Sequence, residues 1–154
     1  MAQYITKISP YLYLGPAINK VIDYTNDNNS KQNEIVAYLK HMGVSTIVNC
    51  DQTLVDVPVV GDNDDLTWIH YPITPNTNRS FVISAESHIT QLINGRTRVY
   101  VQCSTGDVLA PILVLMFLMK TWNMKYERAT SFIKDYRSTT KFNHKFIQQQ
   151  LLSC

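Results

Sequence analysis

No stretch of the 154-residue chain constrains its fold more than 99–113, VYVQCSTGDVLAPIL. Its first residues are β-branched or aromatic and read as a buried strand. A tight loop follows, opened by Cys103 and turned at Gly106, and an apolar helix begins immediately after. Pro111 sits in the first turn of that helix, where its missing N–H costs nothing. A strand that hands a cysteine to a short loop at a helix N-terminus is a frame for anion chemistry. The helix end supplies backbone N–H groups and a partial positive charge, which favour an oxyanion and a thiolate alike.

The rest of the chain supplies elements that can flank such a strand. Residues 4–15 alternate around Pro10 and read as two short strands, joined at Ser9-Pro10 and closed at Gly15-Pro16. Residues 17–23 have room for one or two helical turns. The polar, asparagine-rich segment 24–33 reads as a surface loop, and such a tract is what an AT-rich genome, viral or protist, encodes. A short helix is expected over 34–42, with Ile35, Val36 and Leu39 on one face and Gly43 past its end. A β-branched strand over 44–50 and a second over 66–73 come next. Helices are expected over 84–94, 110–119, 124–136 and 143–152. Strands alternating with helices imply an α/β fold, a central mostly parallel sheet flanked by helices on both faces. The length suits one domain spanning 1–154.

Composition narrows the function classes. Hydrophobic residues make up 45% and charged residues 17% of the chain, and the net charge is only +2. That balance gives no basis for nucleic-acid or membrane binding. The longest apolar run, 108–119, is too short to span a bilayer. Cys50, Cys103 and Cys154 are odd in number and widely spaced, with no zinc spacing, so neither metal nor disulfide framework is expected. Together with the absence of a leader segment, this points to an intracellular setting, cytoplasmic or nuclear. The acidic run 61–65 lacks the ligand spacing of a calcium loop and reads as a solvated turn. No cofactor is implied.

With Cys103 at the end of its strand, the chain resembles the dual-specificity protein phosphatases of the protein tyrosine phosphatase superfamily. The matching segments are ISPYLYLG (8–15), GVSTIVNC (43–50), IHYPI (69–73) and VYVQC (99–103) with Gly106. LVLMFLM (113–119), ATSFIKDYR (129–137) and NHKF (143–146) complete the set. No one segment is specific, but their order and spacing together are. The resemblance implies a cysteine nucleophile that forms a phosphocysteine, and an arginine six residues on that grips phosphate with its planar fork. It also implies a histidine before the cysteine, a hydroxyl after the arginine, and a general acid on a separate loop.

Against that pattern Cys103 and Gly106 are kept, but the arginine position is Leu109, the histidine position Gln102 and the hydroxyl position Ala110. The acid loop TPNTN (74–78) has no carboxylate, and Pro75 and Asn76 stand near where the acid is expected. Ser104, Thr105, Asp107 and Val108 complete the degenerate loop. Losing one preorganised donor to a transferring phosphoryl group costs on the order of a hundredfold or more. Losing a general acid costs roughly a hundred- to ten-thousandfold; such losses are not additive. Asp107 adds repulsion toward a phosphate dianion. The expectation is a pseudophosphatase that binds a protein partner, a phosphoprotein or the target of an active phosphatase. The alternative is a weak or atypical cysteine-dependent phosphatase using a cation from elsewhere, Arg79 or Arg137. A domain that reads phosphate without hydrolysis ranks lower, because the arginine is gone.

Several roles stay open at this stage. Cys103 is a nucleophile, a redox-sensitive thiol or a small buried residue, with the last favoured. Asp107 excludes anions, pairs with Arg137 or Arg79, or has drifted. His70, Arg137 and Asn143 read as structural, and Trp122 and Tyr126 as candidates for a partner surface.

Overall fold

A computed structural model describes residues 5–18, 28–52 and 66–152. Strands β1 (Thr6–Ser9) and β2 (Leu12–Pro16) form a hairpin around Pro10, and helix α1 (Asn28–His41) leads into β3 (Val44–Asn49). Strand β4 (Thr67–His70), helix α2 (Arg79–Asn94), strand β5 (Arg98–Cys103) and helix α3 (Ala110–Thr121) follow. Helix α4 (Tyr126–Tyr136) and the short α5 (His144–Phe146) come last, α5 running into a π-helical turn, Ile147–Leu151. The sheet order is β1-β2-β5-β3-β4, with β1 antiparallel to β2 and the other pairs parallel. This is the expected α/β architecture, and it places β5 in the middle of the sheet.

The two-residue period of β5 separates two cores. Val99, Val101 and Cys103 face one side, packed with Leu12, Leu14, Val48 and the α3 side chains. Tyr100 faces the other, with Tyr13, Ile47 and the α1 residues Ile35 and Leu39. Helix α3 has nine successive buried residues, 110–118, because it lies between the sheet and the neighbouring helices α2 and α4. All-round burial is what its lack of a polar face demands.

Some element boundaries differ from the sequence expectation, each for a physical reason. Helix α1 begins at Asn28, so 28–33 are helix and not loop. Once Ile35, Val36 and Leu39 are docked, extending a nucleated helix backwards through Asn, Ser, Lys and Gln costs only tenths of a kcal/mol per residue. Helix α2 begins at Arg79, not at residue 84, because Asn78 is its cap and accepts the Phe81 N–H at 3.0 Å. Asn123, at φ +57°, delays α4 to Tyr126. The expected single helix over 143–152 is a capped turn followed by a wide one, closed by Leu152 N–H to Ile147 O at 2.9 Å. The readings for 19–23, for the acidic run 61–65 and for Cys154 lie outside the described residues. Among the described residues, no helix is long and apolar enough to cross a membrane.

Two buried groups make stability fall at alkaline pH. Burial pushes the Tyr100 hydroxyl far above its ordinary range, and the group donates to Pro16 O at 2.5 Å. Burial also pushes the Cys50 thiol well up, reinforced by Cys103 and Asp51. Both pKa values are raised in the folded chain, so the unfolded chain loses these protons first. Stability is therefore full below the unfolded values of about 8.5 and 10 and declines above them, by up to about 1.4 kcal/mol per pH unit for each group. Denaturant midpoints at pH 7, 9 and 10.5 should fall in that order.

Candidate functional site

The loop 103–110 lies at the C-terminal end of the sheet, where parallel α/β folds place their sites. Its entry is set by hydrogen bonds at the ends of three strands. Pro16 pairs with Cys103 in register, Ala17 N–H donates to Cys103 O at 2.7 Å, and Cys50 N–H donates to Gln102 O at 2.8 Å. Gly106 turns the loop at φ +79°, pressed against the backbone of Gly15 and Pro16. A Cβ there would lie 2.3 Å from Gly15 C. Only glycine satisfies both the dihedral and the contact.

Cys103 is 2% exposed, and its Sγ accepts the Ala110 N–H at 3.3 Å. The first N–H of α3 is thus aimed at the sulfur. The adjacent Gln102 does not assist. It points to the opposite face of β5, is buried, and its Oε1 accepts the Ile18 N–H at 3.3 Å. It pins the chain after β2.

The far side of the loop is held by Arg137, the residue after α4. Its Nε donates to Asp107 Oδ1 at 2.9 Å and to Gly106 O at 3.1 Å. One terminal nitrogen donates to Thr105 O at 2.9 Å and the other to Thr6 Oγ1 at 3.1 Å. Thr139 Oγ1 also donates to Asp107 Oδ1, and Lys141 N–H to Asp107 O. Of the roles left open for Asp107, the ion pair with Arg137 is the one formed. The planar fork fits because it reaches two loop carbonyls and a carboxylate at once.

Leu109 is half-buried and Val108 is 40% exposed at the loop mouth. They meet the loop that follows β4. Ile73, Pro75, Val108, Leu109, Ile112 and Phe146 line a cleft of about 140 Å³ between the two loops. The two degenerate elements read from the sequence, Leu109 and the Pro75 region, are therefore walls of one apolar cleft. Pro75 and Asn76 are exposed, and their loop is braced internally. Thr77 Oγ1 accepts the Thr74 N–H at 2.7 Å, and Gln150 Nε2 donates to the carbonyls of Pro75 and Thr77.

One loop partner escaped the sequence reading. Asp51, the second residue after β3, is 8% exposed, and its Oδ2 accepts both the N–H of Ser104, at 3.2 Å, and the Ser104 hydroxyl. The signal available was its position, a carboxylate just past a strand at the C-terminal edge of a parallel sheet. His70 proves to hold this residue, its Nε2 donating to Asp51 O at 2.7 Å. Trp122 and Tyr136 are exposed, and Phe132 lies between them with ring centroids 5.9 and 5.0 Å away. Tyr126 is half-buried, its hydroxyl bonded to His144 Nδ1. Among the described residues, no group of His, Cys, Asp and Glu side chains is placed to hold a metal ion.

The mostly parallel sheet, whose middle strand delivers a cysteine into a glycine-turned loop at a helix N-terminus, matches the protein tyrosine phosphatase superfamily fold. More narrowly, the family model of the dual specificity phosphatase catalytic domain matches residues 17–153, and the chain belongs to that family. Comparison with curated proteins finds no matching sequence. Solved structures with the same fold include a human tyrosine phosphatase-like serine/threonine/tyrosine-interacting protein, with 19% identity and a TM-score of 0.73 over 94% of this chain and 91% of that one. A leucine-rich repeat and phosphatase domain containing protein from Entamoeba histolytica shares 18% identity at a TM-score of 0.70, over 94% and 86%. A mouse putative dual specificity phosphatase complexed with zinc tungstate shares 15% at 0.73, over 95% and 83%.

Proposed function

We propose that this chain is a pseudophosphatase, a dual specificity phosphatase domain that binds a protein partner and does not hydrolyse phosphate. The observation that carries the reading is the placement of cations around the loop. Leu109 stands at the position of the family's arginine, and one of the two guanidiniums named as a replacement, Arg137, is engaged from behind by Asp107 and the loop's own carbonyls. A cation that holds the loop from outside is not available to grip a phosphoryl group within it. The acid loop adds no carboxylate. The apolar cleft between the loops suits contact with a protein surface better than with a phosphate dianion. The human structural neighbour is likewise named phosphatase-like and for what it interacts with. An intracellular setting, cytoplasm or nucleus, agrees with the free thiols of Cys50 and Cys103 among the described residues.

The alternative is an atypical cysteine-dependent phosphatase, and one observation favours it: the Ala110 N–H still donates to Cys103 Sγ. The two readings part on a single measurement. Turnover of an aryl phosphate and of phosphopeptides by the purified chain should equal that of Cys103→Ser. Hydrolysis that disappears with Cys103 establishes the alternative instead.

A further inference from the structure

The Asp51 carboxylate has a place in the site that no loss of catalytic residues requires. It reaches the loop from the end of β3, a neighbouring strand, and takes both the N–H and the hydroxyl of Ser104. Ser104 follows Cys103 directly, so its N–H is the first backbone donor of the loop. Its carrier is fixed from two further directions. Asp51 N–H donates to Asn49 Oδ1 at 3.1 Å, and Asp51 O accepts from His70 Nε2 at 2.7 Å. The carboxylate is thus built into the sheet end and is not a side chain swinging from a surface loop.

We infer that Asp51 is a built-in anion of the phosphate loop, occupying donors that an external oxyanion needs and repelling any dianion that approaches. The inference rests on the reading of this chain as a non-hydrolysing member of its family, and it gives that state a cause beyond the missing arginine. A carboxylate oxygen and a phosphoryl oxygen compete for the same backbone donors, because both are anionic acceptors of similar reach. The bound carboxylate is tethered, so it meets Ser104 at an effective concentration no free anion matches. Its charge adds Coulomb repulsion in a partly buried site, where screening is weak. Asp107 has a different task, since its carboxylate is turned to Arg137 and Thr139 on the outer side of the loop.

This predicts that restoring the cation alone is not enough. Tungstate, an inert tetrahedral dianion, is titrated calorimetrically at neutral pH into Leu109→Arg and into Leu109→Arg combined with Asp51→Asn or with Asp51→Ala. The Asn variant keeps the shape and an acceptor for Ser104, so it answers the question if the Ala variant does not fold. Removing the Asp51 charge should tighten tungstate binding about tenfold or more over Leu109→Arg alone, the effect of deleting a like charge within a few ångströms. Equal affinities with and without Asp51, or no binding by any of these variants, overturns the inference. Cysteine-dependent hydrolysis by the unaltered chain instead overturns the functional reading, and the Asp51 contrast can be scored separately from it.

Discussion

Gly106→Ala should destabilise the chain by roughly 3 kcal/mol or more, the largest effect expected of any single methyl group here. Two costs combine. The residue sits at φ +79°, where an L side chain pays about 1–2 kcal/mol. The new Cβ would then lie 2.3 Å from Gly15 C and 2.7 Å from Gly15 O, backbone atoms fixed by the pairing of β2 with β5. Overpacking against atoms that cannot turn aside adds about 1–3 kcal/mol. Gly43 is the internal control. Its φ is +83°, but its Cβ would meet the end of the Arg98 side chain at 3.1 Å, which can move. Gly43→Ala should therefore cost only the dihedral term. Denaturant midpoints of the two variants give the comparison, and equal losses would show that Gly106 is a turn residue and nothing more.

Arg137→Ala is expected to cost about 3–5 kcal/mol, the range for removing one partner of a largely buried ion pair. The side chain is 11% exposed and Asp107 21%. The loss exceeds the pair itself, because Gly106 O and Thr105 O lose their donor too. The partner should be far less sensitive. Asp107→Ala leaves Arg137 donating to Gly106 O, Thr105 O and Thr6 Oγ1, so about 1 kcal/mol is expected. A double-mutant cycle tests the asymmetry. If Asp107→Ala proves as damaging as Arg137→Ala, the guanidinium is there for the charge pair and not for the loop's backbone. Arg137→Lys should recover only part of the loss, since an ammonium cannot reach the same set of acceptors.

Much of this architecture was legible in the sequence. The run 99–103 reads as a buried strand that hands Cys103 to a loop, because its first residues are β-branched or aromatic. The apolar run 108–119, too short to span a bilayer, reads as a buried helix. The resemblance to dual-specificity phosphatases, aligned on Cys103, marks Leu109, Gln102 and Ala110 as the positions where that family's catalytic groups are missing. Helix starts were less legible, since Asn78 as a cap and the polar first turns of α1 carry weak local signals that tertiary docking amplifies.

The sequence by itself determined which chemical groups the loop 103–110 contains, and so that a cysteine, a glycine and a helix start remain while the arginine does not. That information is local, written in one strand–loop–helix stretch. Only the tertiary structure decided where the charges go. Thirty residues separate Asp107 from Arg137 and fifty-three separate Asp51 from Ser104. Local rules, which reach about one helical turn or one strand pair, do not connect partners at that distance. Packing α4 against α3 and β1 brings Arg137 behind the loop, and pairing β3 with β5 sets Asp51 against Ser104. A loop that opened the sequence as a frame for an external anion is, once folded, a loop whose first donor already holds one of the chain's own.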